Sequence, residues 1–506
     1  QYFEMSGICY LAGAGPGDPG LVTLKAKQCI EQADVLVYDA LSSAELLTWV
    51  KPGCETIDVG KRAADHKLPQ DQINQLLVEK VREGNVVVRL KGGDPMIFGR
   101  GGEEAAALSQ AGLKFEIVPG ISSAFAGPIY AGIPLTHREY GSQLTVFSGH
   151  DSVDKASSDL DYAQLAKAPG TKIFLMGVAR LREITSKLVE HGAEPATPIA
   201  LTRWATTGRQ KTITGTLADI GDIAETQNFK APAVGVIGHI INEMENIEWY
   251  EKRPLKGKRI VVTRSQEQAP ELVNKLSELG ADVIELPVLK ICDPVDKQGF
   301  AECVVNVHTY DWLVFSSTNG VRRFFDAFFA LYKDARSLGG VRIAAVGPGT
   351  QAAIESYRFA VDLVPERHIA EGLLETFQNE HSIDSQTMLW VRPENARPVL
   401  VDGLTEQNAI VDECIAYRIE AEKDDPTGAV ERLSEEGADM ITFTSSSTAK
   451  YFHDLGLPWP GDCVAVSIGP ITTAKLKDLG REQLIEAESH SIEGIVTAIV
   501  EQLSGS

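Results

Sequence analysis

The stretch VVVRLKGGDPMIFGRGGEE, residues 86–104, decides the fold of the first half of this chain. Val86, Val87, Val88 and Leu90 form a β-branched, apolar run suited to a strand covered on both faces, and Ala105 to Leu108 resume helix-forming composition. Between them stand Gly92, Gly93, Asp94, Pro95, Gly99, Gly101 and Gly102. Strand, glycine loop and helix in that order belong to an open α/β sheet, whose ligands sit beyond the C-terminal strand ends. Adjacent glycines let backbone approach a ligand closely; a tight turn without ligand is the plainer reading of the same residues.

Upstream, the spacing predicts a strand over 8–14, a loop GPGDPG at 15–20, and a helix over 21–32. With Asp39 downstream this looks like a dinucleotide fingerprint, but Pro16 and Pro19 remove amide donors from the stretch that should cradle a pyrophosphate. Strands over 34–38 and 55–59 would place Asp39, Lys61 and Arg62 at the ligand edge, and a helix over 70–83 leads into the opening stretch. Downstream, a strand over 115–118 is followed by Pro119-Gly120 and a helix beginning at Ile121-Ser122-Ser123, whose hydroxyls and amides suit a polar ligand or a simple cap.

From 143 the pattern changes. Strands over 143–148, 172–176, 199–204, 210–216 and 233–241 lie too close together for helical crossovers throughout, which predicts a mixed sheet. Residues 248–258, EWYEKRPLKGK, read as a polar linker. A new βαβ unit then starts at RIVVTR, 259–264. Two paired motifs follow: strands ending in Ser316-Ser317-Thr318-Asn319 and Thr444-Ser445-Ser446, and strands ending in Gly347-Pro348-Gly349-Thr350 and Gly469-Pro470-Ile471-Thr472. This internal repeat predicts two similar doubly wound lobes facing a cleft, with hydroxyls and free amides for a polyanion.

Composition bounds the function. The 506 residues are 43% hydrophobic and 23% charged, as in a globular protein of several compact units, and lack a long apolar segment or a leader pattern, so a cytoplasmic protein is expected. A formal net charge of −22 argues against nucleic acid and anionic membrane as partners. An acidic substrate would therefore need a local concentration of Arg, Lys and backbone N–H groups. The seven cysteines are scattered and are expected to be buried small hydrophobes rather than disulfides or metal ligands.

The motifs LAGAGPGDPGLVTLKA, ADVLVYDAL, VGKRAADH, VVRLKGGDPMIFGRGGEE, VPGISSA, GIPLTHR and FLMG make the first half resemble the tetrapyrrole methylase family, of the uroporphyrinogen-III C-methyltransferase type. KRIVVTR, LVFSSTNGV, AAVGPGTQA, AYRIE, ITFTSSST and SIGPITT make the second half similar to the uroporphyrinogen-III synthase family, more loosely. The first resemblance implies a two-lobed α/β methylase, usually dimeric, that uses S-adenosylmethionine to methylate C2 and C7 of uroporphyrinogen III, giving precorrin-2. It implies a cofactor pocket at Pro16, Gly92, Gly93, Asp94, Ile97, Ser122, Ser123, Met176 and Ala205, with Asp39 as proton acceptor and Lys61 as proton donor. Arg62, Lys91, Arg100, His137 and Arg138 are candidates to pair with substrate carboxylates. No metal is expected.

The second resemblance implies a cofactor-free, two-lobed doubly wound α/β enzyme that closes hydroxymethylbilane into uroporphyrinogen III. It implies Tyr417 as the acid; we add Ser316, Ser317, Asn319, Thr350, Ser445, Ser446 and Thr472 as substrate contacts. The expected organisation is 1–118 and 119–247 for the methylase lobes, 248–258 as linker, 259–290 with 418–506 as one synthase lobe, and 291–417 as the other. A methylase carrying a non-catalytic tetrapyrrole-binding second half is the rival reading.

Overall fold

A computed structural model describes residues 7–39, 44–60, 68–149 and 160–504. These form two units, 1–259 with 275–283 and 260–274 with 284–506. Both are α/β. No described helix is long and apolar enough to cross a membrane.

The first unit begins with a parallel sheet of β1 (Ile8–Gly13), β2 (Val35–Tyr38), β3 (Glu55–Asp58), β4 (Val86–Lys91) and β5 (Lys114–Val118), in the order β3-β2-β4-β1-β5. The opening stretch supplies β4, and its Val87, Val88 and Leu90 are fully buried, as a strand covered on both faces requires. Helix α1 (Leu24–Gln32) covers one face, where Ala26 and Ile30 join Val88 and Leu90. Helices α2 (Gln70–Arg82) and α3 (Gly101–Gln110) cover the other, where Ile73, Leu77 and Val81 of α2 meet Leu11 and Val87. Their i, i+4, i+8 spacing makes one apolar stripe, so Leu77→Ala should cost about 2–5 kcal/mol. Strands β1 and β4 are neighbours whose helices leave to opposite faces, which makes the β1/β4 edge the switch point of the sheet.

The expected single helix over 21–32 is instead two pieces. Asp18 accepts from the Gly20 amide to cap a short 3-10 turn, Pro19–Leu21, and Thr23 accepts from Ala26 to begin α1. Helix α4 (Ser123–Tyr130) then leads to a mixed sheet, β6-β7-β10-β8-β9, of β6 (Leu144–Ser148), β7 (Thr171–Leu175), β8 (Pro198–Arg203), β9 (Lys211–Thr216) and β10 (Ala233–Ile237). β6 and β7 are parallel and β10 runs antiparallel to both β7 and β8, as the spacing predicts. β10 stops before 241 because Gly238 turns the chain at φ 143° into a 3-10 segment, His239–Glu243.

Residues 248–258 are not a solvated linker. Tyr250 and Leu255 are buried, the Tyr250 ring lies 4.9 Å from that of Tyr130, and Trp249 Nε1 donates to Ile129 O at 3.1 Å. Lys256 Nζ donates to Gln210 O at 2.8 Å. Charged neighbours had hidden the apolar anchors in the sequence.

The second unit holds the sheets β12-β11-β18-β19-β20 and β13-β17-β16-β14-β15. The first of these comprises β11 (Arg259–Val262), β12 (Asp282–Glu285), β18 (Met440–Phe443), β19 (Val464–Ser467) and β20 (Leu484–Glu486). The second comprises β13 (Leu289–Cys292), β14 (Trp312–Phe315), β15 (Arg342–Ala345), β16 (Thr387–Pro393) and β17 (Ile410–Ala421). The repeat is laid out symmetrically: β14 pairs in parallel with β15 in one sheet, and β18 with β19 in the other. The antiparallel pair β13/β17 runs past the boundaries expected at 290 and 417.

Candidate active sites

At the switch point the loops after β1, β4 and β5 are knotted together by backbone. Ala14 N donates to Lys91 O at 2.7 Å, and Gly93 and Gly15 exchange N–H···O bonds of 2.7 and 3.2 Å. A Cβ on Gly13 would sit 2.5 Å from Gly120 Cα, and one on Gly120 would collide with the Gly93 carbonyl. Gly93, at φ 70°, and its neighbours therefore serve chain-to-chain approach first, where the sequence had suggested approach to a ligand. Asp94 completes the knot: it is buried and accepts from Met96 N at 2.7 Å and Gly120 N at 2.9 Å, so its carboxylate shapes the loop and is spent.

Around the knot the backbone is strained and large apolar side chains are exposed. Phe98, Arg100, Met176, Trp204 and Thr206 all have positive φ without being glycine, and they follow β4, β7 and β8. Each such residue costs on the order of 1–3 kcal/mol, and such strain concentrates at binding sites. Met96, Phe98, Ile121 and Met176 are exposed, and Ile97 is half-buried. Ser122 is buried, capping α4 through Ala124 N at 3.2 Å, with Ser123 half-buried beside it. Pro16 is half-buried and Ala205 buried, and the adjoining backbone is joined where Asp18 N donates to Thr206 Oγ1 at 3.0 Å. Most of the expected cofactor residues thus come from loops that touch one another.

Beneath the β4 edge lies an ion cluster that sequence reasoning missed. Glu104, fully buried, accepts through Oε1 from Lys91 Nζ at 2.8 Å, Arg89 Nε at 3.2 Å and Gln70 Nε2 at 3.2 Å. Arg89 NH2 also reaches Asp39 Oδ2 at 3.6 Å. Burial, with Arg89 beside it, lowers the Lys91 pKa from its ordinary value. Lys91 was expected to meet substrate carboxylates; it is buried in an ion pair with Glu104 instead. Arg100 is exposed and bidentate to Glu103 at 2.8 and 2.7 Å. The His137 ring lies 5.2 Å from that of Tyr140 at a tilt, Arg138 is exposed, and Lys61 and Arg62 lie outside the described residues.

In the second unit the repeated strand ends are helix caps. Ser317 Oγ accepts from Gly320 N at 3.1 Å, and Ser445 forms a capping box with Thr448. Ser316 Oγ accepts from Trp390 Nε1 at 3.3 Å, Asn319 Oδ1 accepts from Gln268 Nε2 at 2.8 Å, and Thr350 and Thr472 are buried. Most of these side chains are therefore occupied within the protein. Ser446 is half-buried. A cavity of about 230 Å³ opens beside Ser316, Ser317, Trp390 and Arg397. Tyr417 is buried behind this edge, its hydroxyl 2.9 Å from Ser317 Oγ, and burial raises its pKa against the lowering effect of Ser317 and Asn319. The repeat also extends further than the sequence reading recognised. Gly347 packs on His368 and Gly469 on His490, and these exposed histidines begin the parallel segments HIAEG (368–372) and HSIEG (490–494). The cysteines are all free, with Cys54, Cys292 and Cys303 only half-buried.

Comparison with known proteins places both halves. Residues 9–221 match the family described as tetrapyrrole (corrin/porphyrin) methylases, and residues 255–497 match uroporphyrinogen-III synthase HemD. The porphyrin biosynthesis protein HemD of Ruminiclostridium josui is 33% identical over 98% of this chain and 98% of its own. An S-adenosyl-L-methionine-dependent uroporphyrinogen III methyltransferase of Methanosarcina barkeri is 48% identical over 47% of this chain and 92% of its own. A solved uroporphyrin-III C-methyl transferase of Thermus thermophilus, complexed with S-adenyl homocysteine, is 37% identical over 47% of this chain and 99% of its own, at TM-score 0.40. The chain belongs to the family in which a tetrapyrrole methylase is joined to a uroporphyrinogen-III synthase, and it is a bifunctional enzyme of tetrapyrrole biosynthesis.

Proposed function

We propose that the second half closes hydroxymethylbilane to uroporphyrinogen III and that the first half methylates this product at C2 and C7, giving precorrin-2, with S-adenosylmethionine as methyl donor. The observation that carries the methylase reading is the strained, apolar-rimmed switch point next to Asp39. Its walls are backbone and exposed apolar side chains, which fit an amphipathic, zwitterionic cofactor. When bound, that cofactor supplies an electrophilic methyl group on sulfur. The chain's part is to hold the pyrrole carbon in line with it and to remove the ring proton. Asp39 takes that proton, Arg89 fixes its carboxylate, and Lys61 serves as donor. In the synthase half, Tyr417 protonates the departing bilane hydroxyl through Ser317. We further propose a cytoplasmic homodimer joined through the methylase half, with the methylase lobes dividing near 118 and the synthase lobes exchanging chain through β13 and β17.

The test supplies preformed uroporphyrinogen III and methyl-labelled S-adenosylmethionine. Two labelled methyl groups per macrocycle are expected, and no uptake would refute the methylase assignment. Asp39→Ala should lose about 10²–10⁴ in turnover while still binding S-adenosylmethionine; equal loss of both would make Asp39 structural.

A further inference from the structure

Among the described residues, buried side-chain polar atoms lacking a hydrogen-bond partner concentrate just after β11: Arg264 Nε, Arg264 NH1 and Ser265 Oγ. Leaving one buried donor unmatched is costly, more so on a charged group, and native proteins keep such groups where a ligand or a chemical step uses them. The fold explains the position. Thr263, just before, is locked by its hydroxyl donating to Thr442 O at 2.7 Å, and Ser265 O accepts from Gln268 N and Ala269 N, both at 2.9 Å. The backbone on both sides is fixed while Nε and NH1 of the guanidinium between are unmatched.

A second cation stands near it. Burial lowers the Arg264 pKa from the ordinary arginine value; Glu271 opposes this, and Arg322 adds a smaller lowering effect. Arg322 is exposed on the Thr318–Leu331 helix and makes no ion pair among the described residues. The bond from Gln268 Nε2 to Asn319 Oδ1, 2.8 Å, ties the two segments together four residues after Arg264 and three before Arg322. The neighbouring Arg323 is already taken, by Asp293 at 3.2 Å and Ile291 O at 3.1 Å. Two guanidiniums near each other, one half-buried with its Nε and NH1 lacking acceptors, form a site short of an anion.

We propose that Arg264, with the Ser265 hydroxyl beside it and Arg322 nearby, anchors carboxylates of the synthase half's substrate. The inference rests on the synthase reading above and adds cations to the hydroxyl-capped strand ends of this acidic chain. It also separates a ligand-binding arginine from a structural one, because removing an unmatched buried charge should not weaken the free protein.

The experiment uses the full chain with hydroxymethylbilane, follows type-III ring closure, and records the thermal midpoint without substrate. Arg264→Gln should raise KM about tenfold to a hundredfold, with the midpoint unchanged or higher. Arg264→Lys should recover part of the loss, and Arg322→Gln should raise KM less. Methyl transfer to preformed uroporphyrinogen III should be unchanged in all three. An unchanged KM in Arg264→Gln, or a lowered midpoint, overturns the proposal. Absence of type-III product from the unaltered chain would instead overturn the synthase reading, so the two failures are distinct.

Discussion

The ligand edges of the two halves solve opposite problems. At the methylase switch point most polar groups have found one another: Gly15 with Gly93, Asp94 with Met96 and Gly120, and Glu104 Oε1 with Lys91 and Arg89, leaving Glu104 Oε2 as the exception. In the synthase half the capping hydroxyls are likewise occupied, yet Arg264 and Ser265 are left unmatched. The difference fits the two ligands proposed. A small cofactor needs a rigid cradle already in shape, whereas a flexible octacarboxylate must itself be folded and can supply the missing acceptors.

The comparison breaks first at the glycine knot. Gly120→Ala places a Cβ 2.7 Å from Gly13 Cα and onto the Gly93 carbonyl, so about 3 kcal/mol or more should be lost. Methyl transfer should disappear while type-III ring closure persists; normal methyl transfer would show that the knot is soft. Comparable in size is Glu104→Gln, which leaves Arg89 and Lys91 buried without their shared carboxylate at a cost of about 3–5 kcal/mol. Denaturant unfolding of the methylase half reports it, and an unshifted transition would mean that the cluster is solvated. Tyr417→Phe removes one hydroxyl contact to Ser317, worth about 1 kcal/mol, but should slow ring closure far more than it loosens the fold.

The smallest effect marks the surface limit. Arg180 and then Lys187 hold the Glu183 carboxyl down at about 2, below its usual 4.5. A carboxyl lowered on folding stabilises above its unfolded value, so this contribution is complete above about 4.5 and is lost as pH falls through about 2. With 40% of the side chain exposed, screening reduces it to about 0.2–1 kcal/mol, measurable as the acid-limb difference between Glu183→Gln and the unaltered chain.

The elements were legible where pattern and propensity agree. β-Branched Val86 to Val88 meant a buried strand, and close strand spacing after 143 meant a mixed sheet. Pairings across long separations were not legible. Arg89 and Lys91 lie two apart on one strand, and only folding brings Glu104 to both. Trp249, Tyr250 and Leu255 were masked by intervening charges, and hydroxyls read as ligand contacts proved to be caps, because a cap and a site use the same residues. The HIAEG and HSIEG segments were present in the sequence, but they became a repeat only once each histidine was seen packed on its glycine.

Whether one chain performs both stages is decided by giving it hydroxymethylbilane and methyl-labelled S-adenosylmethionine together. A type-III macrocycle carrying two labelled methyl groups should form. Accumulation of unlabelled uroporphyrin I alone would contradict this.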